Sequence, residues 1–390
     1  MNKQDLDYPI FALGFRAFFA LAGIFALILI ALWRSFFEGS IEIDNYYPMT
    51  YWHAHEMLLG YSVAVISGFL LTAVKNWTGI QTIQGTKLAW LCVLWIYGRL
   101  APFYSELLPD ALIALIDFSF LPILAYFIAK PILQSGNIKN LLIVALLLFM
   151  ALGNALIHAE ILEINESSAW RGINLVIAII IMLILIIAGR VFPFFTEKGL
   201  KGVIAIRNPI FDILAIVTSG LVFGLLIFEI NGWLLTLSAI LAVFANVVRV
   251  SGWYVQKIWY VPLLWVLYLG YAWIILGFVF VALASISLVQ SSLAIHAFTV
   301  GGIGGLTLGM MARVSLGHTG RVLKASNTMA FAFVLLNIAA FFRVILPAIL
   351  PGWYNSFLLI STYGWLAAFS FFVMVYIPIL SSVRVDDKAG

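Results

Sequence analysis

The sequence predicts an all-α polytopic membrane protein of about twelve transmembrane helices, with both termini on the cytoplasmic side. Three observations lead there. Of 390 residues, 64% are hydrophobic and only 10% charged, against about 25% charged in a soluble globular domain. Apolar runs of roughly 20 residues, the length that crosses a bilayer as one helix, recur along the whole chain between Gly, Pro, Asn and charged residues. The basic residues are also sorted. With the N-terminus inside, 17 of the 21 Lys and Arg, from Lys3 to Lys388, fall on the inner side, and only Arg34, Arg99, Arg171 and Arg343 on the outer. Such an excess marks the cytoplasmic face, and an even span count returns the C-terminus to it.

The first span, near 11–36, follows a stretch without a basic n-region or cleavage site, so it is expected to be a retained helix and not a signal peptide. The second, near 52–74, opens on Tyr51-Trp52-His53-Ala54-His55-Glu56-Met57. The third, near 88–105, holds the only cysteine, Cys92, and ends after Gly98-Arg99. The fourth, 111–129, carries Asp117; the fifth, 139–159, carries Asn154 and closes on His158; the sixth, 170–190, ends at Gly189-Arg190. Spans seven and eight, 209–229 and 233–250, are joined by little more than Asn231-Gly232 and should form an antiparallel pair. The ninth lies near 260–284. The tenth, 289–311, contains His296 and glycines at 301, 302, 304, 305 and 309. The eleventh, 328–350, carries Arg343, and the twelfth covers 356–381. The loops are too short for a soluble domain, so residues 1–390 read as one integral membrane domain, with metal-site helices near 52–74, 139–159 and 289–311.

Several function classes drop out. A net charge of +4, dispersed along the chain, gives no nucleic-acid footprint. One cysteine excludes an internal disulfide, a Cys-rich iron–sulfur or zinc site and a c-type haem attachment, so any haem is held non-covalently. Eleven of 17 acidic residues fall on the outer half, an acidic mouth that favours cations. Gly98-Arg99-Leu100-Ala101-Pro102-Phe103 resembles Gly189-Arg190-Val191-Phe192-Pro193-Phe194. These ends lie on opposite sides, so a repeat through them would be an inverted three-plus-three; a shared helix-ending Arg-x-x-Pro pattern explains the likeness equally well.

The five histidines carry the functional reading. His53, His55, His158 and His296 fall in one outer layer and His318 in a basic inner segment, Arg313–Arg321. An ionisable group at membrane depth is costly and is a functional candidate by default, although a lone histidine there also serves as an interhelical hydrogen bond. Residues two apart on a helix point about 200° apart, whereas three or four apart share a face. His53, Glu56 and Met57 should therefore face one way and His55 the other, serving two sites, or with one imidazole at a site and the other supporting it. Imidazole suits haem iron and copper, which makes His53, His55, His158, His296 and His318 the candidate metal ligands. Glu56 and Asp117 are the candidate proton donors; Glu56 could instead orient a ligating imidazole, and Asp117 could instead pair with an arginine. Arg99 and Arg343 are candidates to clamp haem propionates or outer acids, or to snorkel to the interface; Arg313 is a further cofactor-binding candidate, with membrane anchoring an equal account. The glycine strip of span ten reads first as close helix packing and second as a flat wall for a porphyrin.

Phe11-Ala12-Leu13-Gly14-Phe15-Arg16, the Trp52–Met57 block with Gly68-Phe69-Leu70-Leu71-Thr72-Ala73-Val74-Lys75-Asn76-Trp77-Thr78-Gly79, Gly189–Thr196 and the stretch His296–His318 resemble the NnrS family. The likeness runs in order from the first span to the tenth. It implies a bacterial inner-membrane protein of about twelve helices containing haem b and copper, acting in nitric oxide metabolism and resistance to nitrosative stress. Nitric oxide would be the small ligand and the electron donor a further, unknown partner. A reductase-like oxidoreductase is the enzymatic reading. The rivals are a twelve-helix secondary transporter, which should show coupled flux in liposomes, and a non-catalytic haem or copper insertion factor, which should hold cofactor only transiently.

Overall fold

In a computed structural model, described for residues 8–42 and 44–386, the chain is all-helical, with no strand among the described residues. Lys3 and Lys388, counted above on the inner side, lie outside the described residues. Twelve long helices follow in order: α1 (Gly14–Phe37), α2 (Met49–Thr78), α3 (Thr86–Leu100), α4 (Asp110–Gln134), α5 (Leu141–Ile161), α6 (Ala169–Gly199), α7 (Pro209–Ile227), α8 (Trp233–Ser251), α9 (Pro262–Ser285), α10 (Ser291–His318), α11 (Asn327–Ile349) and α12 (Tyr354–Ser381). All but α3 are long and apolar enough to span a bilayer. α3 has 15 residues and is prolonged by a 3₁₀ turn, Ala101–Tyr104. Each expected span thus corresponds to a helix, and eleven of the twelve are long and apolar enough to cross.

Local chemistry sets the ends. Pro209 and Pro262 stand at first helical positions, where a missing N–H costs nothing. Asn208 and Ser326 cap α7 and α11 by accepting from the N–H groups of Ile210 (3.0 Å) and Met329 (3.2 Å). Gly79 after α2, and Gly320 two residues past α10, take positive φ of 70° and 76°, which a Cβ would resist. The expected basic segment Arg313–Arg321 is for the most part not a loop: α10 continues through Gly317 to His318, held by the buried Met311, Ala312 and Leu316. α6 likewise runs past Arg190 to Gly199.

The helices form two compact units. The first comprises the chain as far as Ile179, together with Val314–Leu323 and the stretch from Phe372; the second comprises Ile180–Arg313 and Lys324–Phe371. In the first unit glycines bring helices together: a Cβ on Gly68 of α2 would lie 2.9 Å from the Phe19 ring of α1. Arg16, 1% exposed, donates from Nη1 to the carbonyls of Leu380 (2.9 Å) and Ser382 (2.6 Å) and so caps α12. Between α5 and α6, a Cβ on Gly153 would lie 2.6 Å from Val176 Cγ2 and 2.9 Å from the Gly172 carbonyl. Overpacking of this kind costs about 1–3 kcal/mol. Gly153→Val should accordingly lower the thermal midpoint of the detergent-solubilised protein, and an unchanged midpoint would disprove this packing.

In the second unit α7 and α8 form the expected antiparallel pair around Gly232, whose φ is 88°. Arg249 of α8 donates to Asp212 Oδ1 (2.7 Å) and to the Leu185 carbonyl (3.0 Å). The α10 glycines are filled by neighbours: Trp273 lies against Gly301, Ile274 against Gly302, the Trp365 ring against Gly304 and Val266 against Gly309. Helix packing is what these four glycines of the strip provide.

Candidate metal centre

The centre lies in the first unit and is assembled from α2, α3, α4, α5 and the loop before α2. That loop is held by its own backbone: Tyr46 N–H donates to the Pro102 carbonyl and Tyr47 N–H to Asn45 Oδ1, both at 2.9 Å. Pro48 then starts α2. The helix is regular to His55 and widens into π-geometry over Glu56–Ser62, where the Ser62 hydroxyl donates five residues back, to the Met57 carbonyl (2.8 Å). Such π-segments are rare and gather at functional sites.

His53 and His55 diverge, as their spacing requires. The His53 ring stacks on Trp33 of α1, with centroids 4.1 Å apart and planes 16° from parallel. His55 is fully buried. Its Nδ1 lies 3.0 Å from Glu56 Oε1; its Nε2 faces Asp117 Oδ2 (3.0 Å), Asn154 Oδ1 (3.1 Å) and the Tyr47 hydroxyl (3.1 Å). Glu56 does not share the His53 face as expected. Its carboxylate sides with His55, because Arg99 of α3 draws it there: Nη1 donates to both carboxylate oxygens at 3.0 Å. Arg99 Nη2 donates to Asp117 Oδ1, so one guanidinium joins two carboxylates.

Asp117 of α4 is the hub. Its Oδ2 lies 3.0 Å from His55 Nε2, 3.0 Å from His158 Nε2 and 2.7 Å from Asn154 Nδ2. Asn154 and His158, four residues apart, present one face of α5. The His158 Nδ1 meets the Tyr46 hydroxyl at 3.1 Å. Burial pushes the phenols of Tyr46 and Tyr47 above their ordinary range, so both remain O–H groups near neutrality.

One ligand atom from each of His55, Asp117 and His158 lies within 4.8 Å of the other two, and all three residues are buried. Two imidazoles and a carboxylate form a donor set that suits copper or zinc. Electrostatics point the same way. Two carboxylates face one guanidinium, which leaves one negative charge in a dry interior, where an uncompensated ion costs several kcal/mol. At His55 both ring nitrogens meet acceptor oxygens. With the Nδ1 proton on Glu56, the Nε2 lone pair confronts Asp117 Oδ2 unless a proton or a metal ion lies between them. A proton or a metal cation between His55 Nε2 and Asp117 Oδ2 would offset that charge. Beside it, Tyr47 also lines a cavity of about 530 Å³ with Glu42, Asp44, Asn45, Met49 and Trp52, an acidic approach that suits a cation.

The profile of one protein family, described as NnrS protein, matches residues 9–384. The chain belongs to the NnrS family. No curated protein matches it. Membership of the NnrS family supports, in general terms, a haem- and copper-associated membrane protein linked to nitric oxide.

Of the residues singled out in this NnrS sequence, His55, His158, Glu56, Asp117 and Arg99 come together. His53 is turned onto Trp33 and contributes no atom to the centre. His296 lies in the second unit, its Nδ1 2.6 Å from the Ser292 carbonyl and its Nε2 3.0 Å from Arg343 Nη2. His318 packs on Phe15, with centroids 5.7 Å apart. Arg313 lies over the Phe195 ring, 3.7 Å from its centroid, a cation–π contact that accounts for its burial without an acid. Tyr46 and Tyr47 were missed; two phenols before Pro48 in an acidic loop carry no pattern that separates them from interfacial aromatics. His53→Ala should keep the metal content of the wild type while His158→Ala loses it, as metal analysis of the purified proteins would read; equal loss in both would refute the assignment.

Proposed function

We propose that this NnrS-family chain acts in nitric oxide metabolism in the bacterial inner membrane, with both termini cytoplasmic and the centre toward the outer side. In this reading copper is held by His55, His158 and Asp117. The observation that carries it is the buried group of His55, Asp117 and His158, one ligand atom of each lying within 4.8 Å of the other two. The present spacings of 3.0 Å are close to the roughly 3.3 Å that separates tetrahedral ligands with metal bonds near 2.0 Å. Bound copper would supply a one-electron redox centre and a place for nitric oxide.

The chain's own groups have definable tasks around it. Glu56 orients His55 through Nδ1 and is placed to take or give a proton there. Arg99 fixes both carboxylates. Tyr47 lines the cavity and also meets the centre, its hydroxyl 3.1 Å from His55 Nε2. The reaction class these parts suit is reduction of two nitric oxide molecules to nitrous oxide and water, with two protons and two electrons from a reduced membrane donor. For haem the fit is incomplete: four of the five glycines at 301–309 of α10 are covered by side chains.

Copper and haem per polypeptide, together with optical spectra before and after nitric oxide, test the proposal. Expected are about one copper per chain and a spectral change on adding nitric oxide. A fully folded protein that purifies without copper and takes none up overturns it, and coupled flux by that metal-free protein in liposomes would favour transport instead.

A further inference from the structure

The metal centre has a counterpart in the second unit, built on the same frame with different side chains. α1 and α9 are both 24 residues long and begin 248 positions apart. α2 and α10 correspond at a separation of 241: His55 with His296, Gly60 with Gly301, Gly68 with Gly309, Thr78-Gly79 with Thr319-Gly320. The local structure repeats as well. A π-segment follows each histidine, Glu56–Ser62 and Ala297–Gly304. The glycines meet matching residues of the preceding helix: Gly60 faces Phe25 and Gly301 faces Trp273, while Gly68 faces Phe18 and Phe19 and Gly309 faces Val266 and Leu267. Each of these neighbour pairs is again 248 apart. α3 and α11 begin 241 apart, and each sends an arginine, Arg99 or Arg343, toward the π-segment helix, Arg343 standing one turn further along.

The chemistry differs at two positions. Glu56 corresponds to Ala297, and Asp117, seven residues into α4, to Ser361 at the same place in α12. Both carboxylates that hold Arg99 are thus missing from the second frame. Arg343 is nevertheless 9% exposed, and its Nη1 is buried without a hydrogen-bond partner. Nη2 meets the His296 Nε2, and the guanidinium lies over the Tyr354 ring, 5.5 Å from its centroid; among the described residues no carboxylate pairs with this guanidinium. A buried guanidinium facing a neutral imidazole and a phenol lacks a counter-charge, and its planar fork matches a carboxylate or small oxyanion.

We infer that the His296–Arg343–Tyr354 site binds an anionic oxygen ligand, either a small free oxyanion or the carboxylate of a larger group such as a haem propionate. The ligand takes the place that Glu56 and Asp117 fill in the first frame. This inference does not rest on copper at His55, and copper content reports on that centre separately.

The test has two arms on the purified full-length protein. In the first, nitrite and acetate are titrated into the wild type and Arg343→Gln, following the thermal midpoint. In the second, haem b and its dimethyl ester, whose propionates are blocked, are titrated and followed by the Soret band. A free oxyanion gives a saturable midpoint rise in the wild type that needs at least tenfold more anion in the variant. A propionate gives at least tenfold weaker binding of the ester to the wild type, and no preference in the variant. Arg343→Lys keeps the charge and loses the fork; it should fall between the two and serves if Arg343→Gln does not fold. Wild type that binds none of the probes saturably, or variants that match it in both arms, overturns the inference.

Discussion

Asp117→Asn should empty the metal centre while leaving the protein folded. The aspartate supplies one of the three ligand atoms and the hub oxygen at which His55, His158 and Asn154 converge. An amide in its place offers no anionic ligand, and its NH₂, if turned to the same side, meets the donors of Asn154 and His158. Loss of an oriented partner alone typically lowers metal affinity 10- to 100-fold, so loss of a ligand should weaken copper by at least about 100-fold. The charge account predicts the other half of the result. Arg99 against Glu56 alone is neutral, and the variant no longer carries an unmatched buried charge. The midpoint of the metal-free protein should therefore fall only modestly, by the order of the about 1 kcal/mol that a hydrogen bond contributes. Copper per polypeptide and competition with a copper chelator read the first effect, and thermal unfolding without metal reads the second. Wild-type copper affinity in Asp117→Asn would remove this cluster from consideration.

The helices were legible because bilayer thickness sets a minimum apolar length, and all twelve expected spans correspond to helices. Their ends were less so: Arg190 and Arg313 look like loop residues in a membrane chain, yet α6 and α10 carry both. At the site, helical periodicity separated His53 from His55 correctly. It could not foresee that Glu56 would leave the His53 face, since that follows from a widened turn and from Arg99, 43 residues away. Topology groups His296 with the outer histidines and sets His318 apart; the partners each one keeps, Arg343 and Phe15, depend on tertiary neighbours that no local pattern names. The repeat of α1–α4 in α9–α12 was hidden for a related reason. Its matching positions are a histidine and glycines scattered among interchangeable apolar residues, and they stand out only when the contacts they make are compared.

Arg99→Met should produce the largest loss of stability of any single change at the centre. The guanidinium is 7% exposed and holds Glu56 and Asp117 together. Without it two carboxylates remain buried among oxygens, and breaking a buried pair in this way costs about 3–5 kcal/mol. A purely steric role predicts something different. Methionine fills much of the stem's volume, so packing alone would lose little. The double variant Arg99→Met/Glu56→Gln separates the two accounts: removing one of the stranded charges should recover a large part of the lost midpoint, although no packing has been restored. Metal sharpens the contrast. A ligand that binds only the folded state stabilises by about 2.7 kcal/mol at 100 times its dissociation constant, and a cation held beside two uncompensated carboxylates gains more than one held beside a neutralised pair. Arg99→Met should thus be rescued by copper to a greater extent than the wild type is stabilised by it. Thermal midpoints of the four proteins formed by Arg99→Met and Glu56→Gln, with and without copper, measure both terms, and a double variant no more stable than Arg99→Met would show that charge is not what Arg99 contributes.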